Sequence, residues 1–281
     1  MAKDVVITQE DFLAAKIFFN SALPLLKVIC ESEPKFGNKF KGKNFVFQVS
    51  AKYPTAKDGV LATYFVVEDG KFTVKVNEVH PKPDIEFAFP NLRKFNIFFS
   101  GKGMPLPKIK GFSKLGTLVG ILMTLLRMAG LLQLTEIPKE ASEQEMLVKL
   151  YFYLLPNGIS QLNKFGYEPI QKWAKASPDR AYALAVEGKE DVLSSYLRVA
   201  DGNTKAGRGI YQRSKPFLTM SFDNCEHALN ILMSKGDMVD YIANKYLNIL
   251  GAPEFGSTFG DFMMQVGYFA QGKFLEKYLK K

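Results

Sequence analysis

The chain contains a second, diverged copy of its own pattern. Lys82-Pro83-Asp84-Ile85-Glu86-Phe87-Ala88-Phe89-Pro90-Asn91 aligns with Lys215-Pro216-Phe217-Leu218-Thr219-Met220-Ser221-Phe222-Asp223-Asn224 at an offset of 133. The offset holds to Lys102-Gly103 and Lys235-Gly236, and upstream Asp69-Gly70 matches Asp201-Gly202 one residue out of step. Gly111, Gly116 and Gly120 match Gly251, Gly256 and Gly260 at an offset of 140, which seven residues inserted in the second copy explain. Solenoid repeats run roughly 20–45 residues, so this period is too long for one. It is the size of a whole domain. The sequence therefore predicts two similar domains, 1–138 and 139–281, joined through the polar stretch 135–143 with its Pro138.

Local patterns predict the same order of elements in each copy. Thr8 with Asp11 three residues on resembles a capping arrangement, and Phe12, Leu13, Ile17 and Phe18 keep helical spacing. That helix should run to about residue 32, with Pro24 bending or ending it. Phe45, Phe47 and Val49 alternate as in a half-buried strand, and 60–67 is a second candidate. Asp69-Gly70 signals a hairpin turn into Phe72, Val74 and Val76. Ile85, Phe87 and Phe89 alternate again, and Pro90 is expected to open a helix. In the second copy, an N-terminal helical insert is expected over 142–175, broken around Pro156-Asn157-Gly158. Strands should follow at 181–186, 193–199, 206–212 and 217–222, then helices at 224–234, 238–250 and 256–278. An antiparallel meander grouped apart from the helices predicts an α+β fold.

Composition removes much chemistry. Among 281 residues there are only two His and two Cys. Cys30, Cys225, His80 and His227 cannot supply the roughly four spaced ligands of a Cys/His zinc site, so no metal is expected. Two distant cysteines fit a reducing, cytoplasmic setting. Met1-Ala2-Lys3-Asp4 leads into acidic residues without an uninterrupted apolar run, so a signal peptide is not expected. No P-loop, GxSxG or HExxH motif occurs, and no cofactor or catalytic residue is expected. His80, before Pro81, reads as a surface residue, His227 as a cap or surface residue, and Cys30 as a core thiol.

The formal charge is +9, and it is uneven. Residues 1–138 carry 19 Lys/Arg against 12 Asp/Glu, net +7, whereas residues 139–281 carry 18 against 16, net +2. The excess includes Lys35, Lys39, Lys41 and Lys43, then Lys102, Lys108, Lys110 and Lys114. Such asymmetry reads either as a solvated face or as a site for an anionic partner. Lys39, Phe40, Lys41, Lys43, Phe45 and Phe47 interleave bases and rings as a nucleic-acid platform would. Their strand alternation predicts buried rings instead, which disfavours nucleic acid. The lysines could equally attract an anionic membrane surface through the N-terminal domain, or the phosphates of a ligand.

The most apolar stretch is 115–134. Its length approaches that of a bilayer span. Arg127 lies inside it, at a cost of at least ~2.5 kcal/mol at a span's centre, and its repeat partner carries Asp261 and Gln265. A core helix or the wall of an apolar cavity remain as readings. For the cavity, Gly beside Leu and Met leaves room, with Met263 and Met264 at the corresponding place.

In order, the first copy has a strand ending in Asp69-Gly70 and the strand Pro83-Asp84-Ile85-Glu86-Phe87-Ala88-Phe89 leading into a helix. Gly101-Lys102-Gly103, Ile109-Lys110-Gly111 and an apolar helix follow. Over about 40–134 this resembles the sterol carrier protein type-two family, and 180–272 shows the pattern more weakly. The family's usual member is a single domain, whereas this chain looks tandem. The resemblance implies an antiparallel-rich sheet covered by helices around an apolar tunnel. It also implies binding or transfer of a fatty acid, acyl-CoA or sterol-like lipid without chemistry. The helix that closes each domain would line or gate the tunnel. Expected lining residues are Phe112, Leu115, Leu118, Val119, Leu122, Met123 and Leu126, and in the second copy Phe255, Phe259, Phe262, Met263 and Val266. The alternative is a non-catalytic interaction or scaffold protein whose cavity is filled by side chains.

Overall fold

A computed structural model describes residues 6–279. Met1-Ala2-Lys3-Asp4, read above for a leader, lies outside them. The chain divides into two compact units, residues 1–133 with 268–281, and residues 134–267. The fold is α+β with two similar five-stranded sheets.

In the first unit, α1 (Gln9–Ile17) starts at Thr8, whose side chain accepts the Asp11 N–H while Asp11 reaches back to the Thr8 N–H. A wide turn of π geometry, Phe18–Ala22, follows, and then α2 (Leu25–Ser32) and α3 (Pro34–Gly37). Pro24 divides α1 from α2 because it offers no N–H and fixes its φ. The strands are β1 (Phe45–Lys52), β2 (Val60–Glu68), β3 (Lys71–Val76) and β4 (Ile85–Phe89). Then come α4 (Leu92–Phe99), β5 (Lys108–Lys110) and α5 (Leu115–Leu132). The sheet order is β3-β2-β1-β4-β5. It is a mixed sheet, not a pure meander: β1 and β4 run parallel, Phe47 opposite Ile85 and Val49 opposite Phe87. Pro90 stops short of α4, whose first turn is capped by the Asn91 side chain accepting the Lys94 N–H.

The second unit repeats the plan. It has α6 (Ala141–Lys164), α7 (Glu168–Ala176), β6 (Arg180–Val186), β7 (Ser194–Ala200), β8 (Asn203–Arg208) and β9 (Leu218–Phe222). It continues with α8 (Cys225–Leu232), α9 (Met238–Ala243), β10 (Leu247–Gly251) and α10 (Gly256–Ala270). Its sheet order, β10-β9-β6-β7-β8, is that of the first unit read backwards, and β6 and β9 are again parallel. Asp69-Gly70 and Asp201-Gly202 both have positive φ at both residues, the backbone of a tight hairpin turn.

The helix α6 runs through Pro156, and the chain breaks instead at Gly166, where φ is +94. The third strand of the second copy begins directly after its turn, at Asn203, and ends at Arg208. The helix expected over 238–250 ends at Ala243, and Leu247–Gly251 is the edge strand β10. It pairs with β9, Ile249 opposite Met220, as β5 pairs with β4, Ile109 opposite Phe87. Leu-Asn-Ile-Leu-Gly is too short to carry a helical or strand periodicity of its own, so its partner strand decides its state.

The helix expected over 256–278 stops at Ala270, and a 3₁₀ turn at Lys273–Leu275 leads into α11 (Glu276–Leu279). Residues 268–281 group with the first unit. There Phe269, Phe274 and Leu275 are buried, and Arg93 stacks on the Tyr278 ring 3.9 Å from its centroid.

Phenylalanine builds the first core. Phe47, Phe65, Phe87, Phe89 and Phe95 are almost fully buried. Phe19 and Phe95 stack at 4.1 Å, which joins the π turn to α4.

Candidate functional site

Gly111 sets the entry to α5. It adopts φ +103, and a Cβ there would lie 2.6 Å from the Asp84 carbonyl oxygen. A 3₁₀ turn, Phe112–Lys114, follows, and Lys114 Nζ pairs with Asp84 at 2.8 Å. Leu118, Ile121, Leu125, Met128 and Leu131 form the buried face of α5, which packs toward α2 and α3. Gly120 lets the helix approach the Phe40 ring, since a Cβ there would sit 3.2 Å from Phe40 Cε1. Thr124 donates its hydroxyl to the Gly120 carbonyl. Arg127, the one charge inside the helix, pairs with Glu33 at 3.0 Å. Beneath this face burial pushes the Cys30 thiol up to about 12.

The opposite face of α5 is also apolar. Phe112, Leu115, Val119, Leu122, Met123 and Leu126 are 40–65% exposed. Of the seven residues expected to line a cavity in this copy, six stand on the outside of the unit and Leu118 lies in the packed interior.

In the second copy Phe259, Met263 and Val266 are buried, while Phe255 and Phe262 are half-buried. Phe259 stacks on Tyr182 at 5.4 Å, and Phe262 meets Trp173 edge-on at 5.0 Å. Phe255 meets Phe217 edge-on at 5.0 Å. Val266 fills the space over Gly158, where a Cβ would lie 2.4 Å from Val266 Cγ1. The two helices are one residue further apart than the glycine ladder indicates, since α5 begins at Leu115 and α10 at Gly256, an offset of 141. On that offset Leu118 matches Phe259 and Leu125 matches Val266, all four buried, and Met123 matches Met264, both exposed.

Beside α5 runs the basic segment. Lys39 Cβ lies 3.7 Å from where a Gly120 Cβ would be. Lys35 and Lys41 are exposed, Lys39 and Lys43 half-exposed. The segment is pinned to the hairpin turn: Asp69 accepts the Gly42 N–H at 3.0 Å, and Asn44 accepts the Asp69 N–H at 2.8 Å. Phe40, Phe45 and Phe47 are buried, so no ring in this segment offers a stacking face.

Two further features lay outside the sequence expectations. On the sheet face away from the core, Glu86 accepts from Gln48 Nε2 at 3.0 Å, Ser50 Oγ at 2.8 Å and Lys110 Nζ at 2.7 Å. Burial would raise its carboxyl, but these three donors outweigh it and hold it below the usual carboxylate value. Strand alternation already put Gln48 and Ser50 on one face; only the β1–β4 register sets Glu86 opposite Gln48. The second is an open cleft of about 550 Å³ in the second unit, lined among others by Asp191, Tyr196, Arg208, Tyr211 and Arg213.

The histidines make local contacts. The His80 N–H donates to Gln48 Oε1, and its ring tilts against Tyr64. His227 Nδ1 lies 2.7 Å from Asp223 Oδ1, and its ring stacks on Tyr246 at 4.0 Å. Among the described residues no group of three or more His, Cys, Asp or Glu is arranged to hold a metal ion. Compared with known proteins, the chain matches no family model and no curated sequence.

Proposed function

We propose that this protein is an intracellular lipid carrier. It would bind a fatty acid, acyl-CoA or sterol-like ligand in its first unit and transfer it without chemistry. To take the ligand's apolar part into the unit, α5 would have to part from the α2–α3 layer, a seam now filled by Leu118, Ile121 and Leu125, with the anionic group toward Lys35, Lys39 and Lys41. The observation that carries this reading is a helix apolar on both faces that meets its own unit with only one of them. A helix hydrophobic all round is otherwise found inside a core or a membrane.

For the second unit a packing role is favoured. Val266 against Gly158 and Phe259 against Tyr182 fill the corresponding place with side chains. The two copies would thus have divided the work, one binding and one scaffolding.

Native mass spectrometry with lipid extraction from the purified full chain tests the proposal. One bound lipid per chain, displaced by a fluorescent fatty acid, is the expected result. A clean apo mass together with no uptake of the fluorescent fatty acid would overturn it.

A further inference from the structure

We infer that the outer face of α5, with the lysine segment beside it, docks on the surface of an anionic lipid bilayer. This deepens the carrier reading and rests on it for the traffic of lipid, though not for the contact itself.

The face is a continuous stripe. Leu115, Val119, Leu122, Met123 and Leu126 recur at helical spacing, and Phe112 extends the stripe into the preceding turn. No acidic residue occurs between 112 and 132. The fold does not require such a face: α10, in the same place of the other unit, turns Ser257 and Asp261 outward, with Met264 its one exposed large apolar residue. A stripe of this size without a cover marks an interaction surface.

Charge selects the occupant. Lys35, Lys39, Lys41 and Lys43 have no carboxylate partner among the described residues. A second copy docking through this stripe would do so isologously and bring two lysine segments together, which like-charge repulsion opposes. An anionic bilayer instead offers hydrocarbon to the stripe and phosphate or carboxylate groups to the lysines. Arg127 is drawn inward to Glu33 and leaves the centre of the stripe free of charge.

Flotation of the full chain with phosphatidylcholine vesicles, with and without phosphatidylserine, tests this. Binding should be about ten-fold stronger with phosphatidylserine at low salt and should weaken as salt rises. Leu122→Asp with Leu126→Asp should lose binding to both vesicle types by about ten-fold or more. Both sites are exposed, and an unchanged circular dichroism spectrum confirms folding. Lys35→Gln, Lys39→Gln and Lys41→Gln together should remove only the preference for the anionic vesicle. Failure of the wild type to float with anionic vesicles overturns the docking face. So does a stable dimer by light scattering that the Leu122→Asp, Leu126→Asp protein lacks. Bound lipid by native mass spectrometry without flotation overturns the docking while leaving the carrier reading standing. Flotation without bound lipid does the reverse.

Discussion

Gly111 and Gly251 hold the same place in the two units. Their φ angles are +103 and +105, and a Cβ on either would strike a carbonyl oxygen, Asp84 at 2.6 Å and Phe217 at 2.1 Å. Asp84 and Phe217 are themselves 133 residues apart, so the two contacts repeat the internal duplication in backbone detail. Each glycine closes an edge strand and turns the chain into the helix that completes its unit.

Alanine at either position should therefore destabilise its unit by at least about 1–3 kcal/mol, from the left-handed backbone and the backbone clash together. Gly130, on the exposed side of α5 with nothing within 4 Å of a Cβ, is the control. Gly130→Ala should stabilise by about 0.5–1 kcal/mol. Urea midpoints of the three variants check both signs; an unchanged midpoint for Gly251→Ala would contradict the geometry.

Lys16 gives a pH signature. It is 6% exposed, and burial pulls its ammonium down from 10.5 to about 8. Between those two values the unfolded chain binds the proton and the folded chain does not. Folding stability from this group must then rise as pH goes from about 8 to 10.5, by up to about 3 kcal/mol. Lys16→Met should abolish that rise. The comparison to make is the urea midpoint of wild type minus variant at both ends of the window, where other titrations cancel.

Glu86 predicts the opposite limb. Its folded pKa lies below the ordinary 4.5, so its contribution is complete above that value and is lost as pH falls through the folded one. Glu86→Gln should cost about 1–3 kcal/mol near neutrality, because Lys110, Ser50 and Gln48 lose a charged acceptor. Acid titration of both proteins should show the gap between them closing below pH 4.5. A gap independent of pH would show that the charge does not matter.

The thiols should be silent in the folded protein. Cys30 and Cys225 are both buried, and burial raises both, Cys30 to about 12. Ellman's reagent at mildly alkaline pH should therefore find almost no fast-reacting thiol until denaturant is added, and then two per chain. Fast labelling of either cysteine in the native protein would place it on a more open surface.

Much of this architecture is legible in the sequence because it depends on local chemistry. Thr8 caps α1 through its own side chain, as its spacing to Asp11 predicts, whereas α4 is opened by the Asn91 cap and not by Pro90. Asp69-Gly70 and Asp201-Gly202 are turns by virtue of the conformations those residues tolerate. Alternating Phe residues mark strands because one sheet face packs in the apolar core and the other carries polar side chains such as Gln48 and Ser50. Pro156 reads as a break yet sits inside α6, and 247–251 reads as helix yet forms β10; each is settled by the element packed against it.

For the candidate site the division falls along α5. Sequence by itself determined that 115–134 is helical, apolar and free of acidic residues, and that lysines precede it; the helix ends two residues sooner, at Leu132. Which side of a helix meets the core is read from the contrast between its faces, and here there is almost none. Packing toward α2 and α3, set by Gly120 against Phe40 and Arg127 against Glu33, turned Leu118 in and left Leu122, Met123 and Leu126 out. In α10 Asp261 supplied that contrast, and Phe259, Met263 and Val266 went to the interior. Only tertiary contact could make that choice for α5, because burial free energy depends on apolar area and is nearly the same for either face.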